Sequence, residues 1–233
     1  MTPPEKKVLV ATPSWNRKSI ITLVATALKE SELALDTTDY LVSDDASTEY
    51  SEVDLKAMFP WADVVRHSAK FHNHLMNTHF CFSEFLRGPY EYLVILDSDM
   101  IVTPNWRSRL DDLVATPDFK IGSLYNSTHH KIVQDCNTYI IKESAGFAGM
   151  VFSRKIIEEL RLRLGSSHDD WAVCRHLGPV FRVCQPSALA HIGINGRWNG
   201  GSYSQIDKAA DFPWTSVSPE LKSACEQLLQ VIL

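Results

Sequence analysis

Tyr92-Leu93-Val94-Ile95-Leu96-Asp97-Ser98-Asp99-Met100 is the stretch whose reading decides the fold. The apolar run from Tyr92 to Leu96 is too short for an ordinary helix and rich in branched side chains. It reads as a strand buried on both faces, the kind found inside parallel sheets. The run ends in two carboxylates. Side chains alternate along a strand, so Asp97 and Asp99 are expected on one side at the mouth of the sheet, where open α/β proteins bind ligands. Two hard oxygen donors one residue apart suit Mg2+ or Mn2+, which keep further positions for water and phosphate oxygens. Asp and Ser also favour caps and turns, so the spacing alone leaves a structural role open.

Toward the N-terminus, Lys7-Val8-Leu9-Val10-Ala11 is a second apolar run, broken by Thr12-Pro13-Ser14-Trp15-Asn16-Arg17. Ile20, Leu23, Val24, Ala27 and Leu28 then recur at helical spacing, which predicts a helix from Ser19 to about Leu35. Tyr40 to Ser43 gives the next strand, closed by Asp44-Asp45-Ala46-Ser47-Thr48. A right-handed parallel crossover places the loop around Trp15 and the pair Asp44/Asp45 at the same sheet edge as Asp97 and Asp99. A short helix from Glu49 to Pro60, a strand from Ala62 to Arg66 and a helix from Met76 to Leu86 lead to the central strand. His67, His72, His74 and His79 crowd this region without a regular metal spacing and read as loop and helix-face residues. Lys70 and Asn77 are candidates for touching a nucleotide.

Beyond Asp99, a helix is expected from Pro104-Asn105-Trp106 to about Val114, then strands at Ile121 to Tyr125 and Thr138 to Ile141. Ser144 to Phe152 alternates small and large residues, and Gly146 and Gly149 permit close backbone approach. A helix from Arg154 to Leu164 is capped by Gly165. Asp169-Asp170-Trp171 opens a further helix to Leu177; either carboxylate fits a helix cap, or a general base aimed at a substrate hydroxyl. A strand follows at Val180 to Val183, and His191 stands alone in an apolar setting. The glycine-rich stretch from Gly193 to Asp211, with Arg197 and Trp198, reads as a lid, and Pro219 to Leu233 as a docking helix.

The 233 residues, 45% hydrophobic and 22% charged, suffice for one well-filled domain. A formal charge of −5 without long basic runs argues against a nucleic-acid binder, and an anionic cofactor would need a metal to offset its charge. No apolar run approaches a membrane span and Met1 to Lys7 lacks a signal-peptide core, so a cytoplasmic protein is expected. Five cysteines without a CxxC pair suggest buried thiols, and the sequon Asn126-Ser127-Thr128 is incidental in that compartment.

Thr12-Pro13-x-x-Asn16-Arg17, Asp44-Asp45-x-Ser47, Asp97-Ser98-Asp99, Phe152-Ser153-Arg154, Asp169-Asp170-Trp171 and Pro186-Ser187 with His191-Ile192-Gly193 occur in that order. The ordered set resembles the GT-A-fold glycosyltransferases, most closely the family-two inverting enzymes, over about residues 6 to 195. Phe71 to Asn77 stands where that family usually has a Gly and Arg-Asn signal, and Asp-Asp stands where Glu-Asp is more common. The resemblance implies an α/β fold with a Rossmann-like, mostly parallel central sheet flanked by helices. It implies a single domain over residues 1–233, with a nucleotide-sugar half at about 6–110, an acceptor and catalytic-base half at about 111–210 and a helical tail at 211–233. The activity implied is metal-dependent, inverting transfer of a sugar from a nucleoside-diphosphate sugar, UDP-sugar first, to a glycan or other hydroxyl. Asp99 would hold Mn2+ or Mg2+, with Asp97 beside it and His191 completing the sphere. Thr12, Pro13, Arg17, Asp44, Asp45, Asn77 and Ser98 would surround the nucleotide, and Arg197 and Trp198 would close over its phosphates. Asp170 would deprotonate the acceptor, with Asp169 as the fallback. A nucleotidyltransferase of related fold is the nearest alternative, but the loop from Thr12 to Arg17 lacks its glycines. A non-catalytic sugar-nucleotide-binding module is the other.

Overall fold

In chain order the first elements are β1 (Val8–Ser14), α1 (Lys18–Lys29), β2 (Thr38–Asp44), α2 (Glu52–Met58), β3 (Asp63–Arg66), α3 (His74–Arg87), β4 (Tyr92–Ile95) and β5 (Met100–Val102). There follow α4 (Trp106–Val114), β6 (Ile121–Ser123), β7 (Ile132–Asp135), β8 (Tyr139–Lys142), β9 (Met150–Ser153) and α5 (Arg154–Leu164). The chain closes with α6 (Asp170–Leu177), β10 (Phe181–Cys184), β11 (Leu189–His191), a 3-10 turn at Trp214–Ser216 and α7 (Pro219–Leu229). The computed structural model describes residues 7–72, 74–164, 169–193, 207–231 and 233.

Among the described residues, nine strands form one sheet in the order β3-β2-β1-β4-β9-β6-β10-β8-β7, and β11 pairs with β5 in a second, two-stranded sheet. From the pairings, β3, β2, β1, β4, β6, β10 and β7 run one way, and only β9 and β8 oppose them. This is the mostly parallel α/β sheet that the sequence predicts.

The two-residue side-chain period sorts the apolar strands onto two faces. Val8, Val10, Tyr40, Val42 and Val94 share a core with α1 (Ile20, Val24, Leu28), α4 (Trp106, Leu110) and α7 (Leu221, Cys225). Leu9, Ala11, Leu41, Leu93 and Ile95 meet α3 (Cys81, Phe85), α5 (Ile156, Leu160) and α6 (Val173, Cys174) on the other face. Both faces being covered is why these strands read as unbroken apolar runs.

Pro13 is tolerated inside β1 for a geometric reason. Leu96 N donates to Ala11 O at 2.9 Å, so the missing N–H two residues on faces the same side, where β4 has already ended at Ile95.

Several elements differ from the expected bounds. α1 stops at Lys29, short of Leu35, because Ser31 Oγ donates to Leu28 O at 2.8 Å and draws the backbone away from helix continuation. α7 ends at Leu229, where Gln230 turns left-handed with φ 53. Gly149, with φ 70, sits where a Cβ would overlap Leu189 Cδ1, whereas a Cβ at Gly146 would meet only ordinary contact, 3.7 Å from Asp170 Oδ2. Close packing thus requires the second glycine and not the first. Gly165, expected as the cap of α5, lies outside the described residues.

Candidate active site at the carboxyl edge of the sheet

Parallel register brings the ends of β1, β2 and β4 together. Ser14 pairs with Asp44, and Ala11 with Ile95, so the three following loops start side by side. Asp44 is fully buried and spends its carboxylate on this junction. It accepts from Ser14 Oγ at 3.4 Å, from Ser47 N at 3.1 Å and from Ser47 Oγ, and pairs with Arg66 Nη1 at 3.2 Å. Asp45 accepts from Phe71 N at 2.6 Å, drawing the loop before α3 over the edge. Asn77 is likewise turned inward: Ser43 Oγ donates to its Oδ1 at 2.5 Å, and its Nδ2 donates to Ser43 O at 2.9 Å. With the Ser43 proton so used, His67 Nε2, 2.9 Å away, must donate to Ser43 Oγ. His67 also packs on Phe71 and Phe80, with centroids 4.4 and 4.7 Å away, which makes it a packing residue.

The β1–α1 loop carries two consecutive non-glycine residues in the left-handed region, Asn16 (φ 52) and Arg17 (φ 60). Each costs on the order of 1 kcal/mol, and the conformation is pinned by the neighbouring loop. Asn16 Oδ1 accepts from Thr48 N at 2.7 Å, Asn16 N donates to Ser47 Oγ at 2.8 Å, and Lys18 N donates to Glu49 Oε2 at 2.8 Å. The Lys70 ammonium lies 3.1 Å from the centroid of the half-exposed Trp15 ring.

Asp97 and Asp99 are close, but not by strand alternation. β4 ends at Ile95, and Met100 N donates to Asp97 O at 3.1 Å, so a turn holds the pair. Small polar residues favour such a turn, and they end the strand earlier than the apolar run suggests. Arg17, expected among the residues around the nucleotide, donates from Nη1 to Asp99 Oδ2 at 2.9 Å and from Nη2 to Ser98 Oγ at 3.5 Å. The antiparallel β5–β11 pair sets Met100 opposite His191, and Ile192 N donates to Asp99 O at 2.9 Å. His191 Nε2 thereby comes within 3.3 Å of Asp99 Oδ2. On its other side, Nδ1 lies 3.3 Å from Asp207 O, a carbonyl that also accepts from Tyr125 Oη at 2.5 Å. A backbone carbonyl behind an imidazole fixes which nitrogen faces the site.

The electrostatics follow from this packing. Burial, and then the Asp99 charge, push Asp97 up to about 7. Burial acts on Asp99 in the same sense, but His191 and Arg17 outweigh it and hold its carboxyl below the ordinary range. Burial alone would depress His191, yet Asp99, Asp97 and the Asp207 carbonyl raise it.

A raised carboxylate has a definite stability sign. Between the ordinary Asp value and about 7, the folded state holds a proton that the unfolded state releases, so stability falls as pH rises through that window. In chelator, the thermal midpoint of the wild type should therefore fall more steeply from about pH 5 to pH 7.5 than that of Asp97→Asn. Parallel melting curves would remove Asp97 as the titrating group.

Among the described residues, no three His, Cys, Asp or Glu side chains form a ready-made metal cage. A cation that keeps water and phosphate oxygens needs only one or two carboxylates, and here the donors present fit one. Gly193 is the supporting detail: a Cβ there would overlap Asp99 Oδ2 and come within 2.7 Å of His191 Nε2. Because residue 193 has no side chain, its backbone can lie close against the carboxylate oxygen and the imidazole.

The second acidic pair divides its work. Asp169 is the N-cap of α6 and accepts from Ala172 N at 2.6 Å. Asp170 opens the helix with Oδ1 accepting from Trp171 N at 2.9 Å. Burial, together with the Asp169 charge, pushes its pKa up, and its own charge reaches Asp97. His130, which bonds Ser144 Oγ through Nδ1 at 2.8 Å, lies within electrostatic reach of Asp170. Arg197 and Trp198, with residues 194–206 of the expected lid, lie outside the described residues.

The sequence reading missed a polar cluster behind His191. Ser127 Oγ donates to Asp207 Oδ1 at 2.7 Å, and the buried Lys142 donates through Nζ to Ser127 O. Asn126 is buried and its Nδ2 donates to Asp211 Oδ2 at 3.1 Å, so the sequon is an interior junction. A lysine in a strand-like run was the available signal, because such a lysine is seldom buried without partners.

No protein-family model and no curated protein matches the chain. Solved structures do. S. aureus TarS 1–349 in complex with UDP superposes with a TM-score of 0.59 at 11% identity, covering 78% of this chain and 59% of that one. A second structure of S. aureus TarS gives 0.58 at 11% identity, over 78% and 36%. The mannosyltransferase PcManGT from Pyrobaculum calidifontis, in complex with GDP-Man and Mn2+, gives 0.53 at 19% identity, over 78% and 58%. The chain thus spans between about a third and three-fifths of the length of these structures. The likeness establishes a GT-A-like glycosyltransferase fold.

Proposed function

We propose that the chain is a metal-dependent, inverting glycosyltransferase of the family-two kind. It would move a sugar from a nucleoside-diphosphate sugar, with uridine the first expectation, to a hydroxyl of a glycan or other acceptor. The observation that carries the reading is the convergence of Arg17, His191 and the Gly193 cradle on one oxygen of Asp99, with Asp170 in electrostatic reach across the same edge. The neighbours bound to UDP, or to GDP-Man and Mn2+, support a sugar-nucleotide donor with a divalent ion.

Asp99 and His191 would hold the ion, with Asp97 beside them, and the ion would supply charge neutralisation for the departing diphosphate. The chain's own residues do the rest. The β1–α1 loop and Asp45, with Thr12 and Pro13 behind them, would shape the nucleoside pocket, while Asp44 and Asn77 would hold that pocket's walls. Asp170 would accept the acceptor hydroxyl's proton, its basicity strengthened by burial. Asp169 would keep Asp170 in place as the cap of the same helix. The division into a nucleotide-sugar half and an acceptor half, and a cytoplasmic location, belong to the same proposal. No helix among the described residues is long and apolar enough to cross a membrane.

The deciding experiment is a donor screen of sugar nucleotides with Mn2+, read by release of nucleoside diphosphate through slow hydrolysis. Release from one nucleotide series, abolished by chelator, is the expected result. Binding without release would favour a non-catalytic module, and formation of nucleoside triphosphate and sugar phosphate when pyrophosphate is added would favour a nucleotidyltransferase.

A further inference from the structure

We infer that Arg17 is a resident counter-ion on the cation-binding oxygen of Asp99, held there until donor phosphates draw it away, so that metal binding depends on the nucleotide. The inference rests on the donor and metal reading above and adds an order of events to it. Among the described residues, the hydrogen-bond partners of the Arg17 side chain, Asp99 Oδ2 and Ser98 Oγ, belong to the turn that holds the carboxylate pair. Its backbone is fixed in a left-handed conformation by the 47–49 loop, as described above, so the guanidinium is aimed at this turn by design of the loop. The side chain is still 28% exposed, which leaves it a path to swing.

The oxygen is contested. Asp99 Oδ2 receives Arg17 Nη1 at 2.9 Å and faces His191 Nε2 at 3.3 Å, and it is the oxygen against which the Gly193 backbone packs closely. A divalent ion on that oxygen would stand at near-contact distance from a guanidinium, two like charges on one acceptor. Bare metal must therefore displace Arg17 without offering it another partner. A diphosphate offers one: its oxygens match the planar donor fork better than a single carboxylate oxygen does. Metal and nucleotide then each strengthen the other's binding, and the coupling is reciprocal.

The test is Mn2+ binding, followed by the free-ion paramagnetic resonance signal, without nucleotide and with UDP or, in a parallel arm, GDP. Wild-type protein should bind Mn2+ weakly alone and on the order of tenfold more tightly with one of the diphosphates. Arg17→Asn, chosen because asparagine accepts a left-handed backbone, should bind Mn2+ alone on the order of tenfold more tightly than wild type and gain less from the nucleotide. Arg17→Lys, which keeps the charge, should stay near wild type for Mn2+ alone.

Unchanged Mn2+ affinity in a folded Arg17→Asn, while nucleotide still tightens Mn2+ binding, would overturn the counter-ion role and leave the donor reading standing. Equal tightening in both variants would overturn the charge argument. Mn2+ binding in no protein, with or without either diphosphate, would overturn both readings.

Discussion

Asp99→Asn should lose on the order of 10³-fold in metal-dependent kcat/KM, about 4 kcal/mol of transition-state stabilisation, while keeping its fold. The carboxamide has the shape of the carboxylate without its charge. It can still accept from Arg17, but it cannot neutralise Arg17 and His191 together. His191 should answer by titrating at lower pH, since Asp99 is the largest influence raising it against burial. The sign for stability follows. A histidine raised in the folded state contributes stability that is present below its unfolded pKa and is lost as pH rises through the folded value. The variant's deficit in thermal midpoint should therefore be largest at the acid end of a pH series, where wild-type His191 is charged, and should narrow as pH rises through its raised folded value. Turnover, Mn2+-dependent nucleotide binding and an NMR titration of His191 check the three parts. Wild-type nucleotide affinity with Mn2+ in this variant would remove Asp99 from the cation site.

Legibility in the sequence tracks the range of the interaction that sets each feature. β1, β2 and β4 are readable because both faces are covered, so each carries its own unbroken apolar signal. α5 is readable because its periodicity and its ends are local, and its bounds, Arg154 and Leu164, are those expected. β7 is exposed along its whole length, so Ile132–Asp135 has no burial pattern to betray it. β11 is three residues long and exists through its pairing with β5, some ninety residues earlier in the chain. That pairing delivers His191 to Asp99, and no local pattern encodes it. The resemblance suggested the partnership; spacing did not.

The same distinction explains the site residues. Asp97 and Asp99 stand out as a motif, but the turn that joins them and the inversion of their titration depend on Arg17 and His191 arriving from elsewhere. Asp44 and Asp45 look equivalent in sequence, yet one is an internal junction and the other holds a loop. Asp169 and Asp170 differ by a single residue at a helix start, where one position must cap and the next is free to face the cleft. Chemistry at an N-terminus is thus decided by helix phase, which a sequence shows only once the start of the helix is known.

That phase sets the expectation for the catalytic base. Asp170→Asn should reduce kcat by on the order of 10²-fold to 10⁴-fold with donor affinity unchanged, the pattern of a group acting only on the acceptor proton. Burial raises the Asp170 pKa first of all, the Asp169 charge adds to this, and the Trp171 N–H offsets part of it. A base must be deprotonated, so wild-type activity should fall as pH drops through that raised value, and the acid limb should vanish from whatever activity Asp170→Asn retains. Asp169→Asn gives the contrast. Asparagine caps a helix about as well as aspartate, so that variant should keep both stability and rate. Asp169→Ala should cost about 1 kcal/mol of stability through loss of the cap to Ala172 N, with kcat near wild type. Steady-state kinetics across pH, with nucleotide affinity measured separately, distinguishes the outcomes. If Asp169→Asn carries the loss in kcat and Asp170→Asn does not, the two carboxylates have exchanged roles, and the helix start rather than its first residue faces the acceptor.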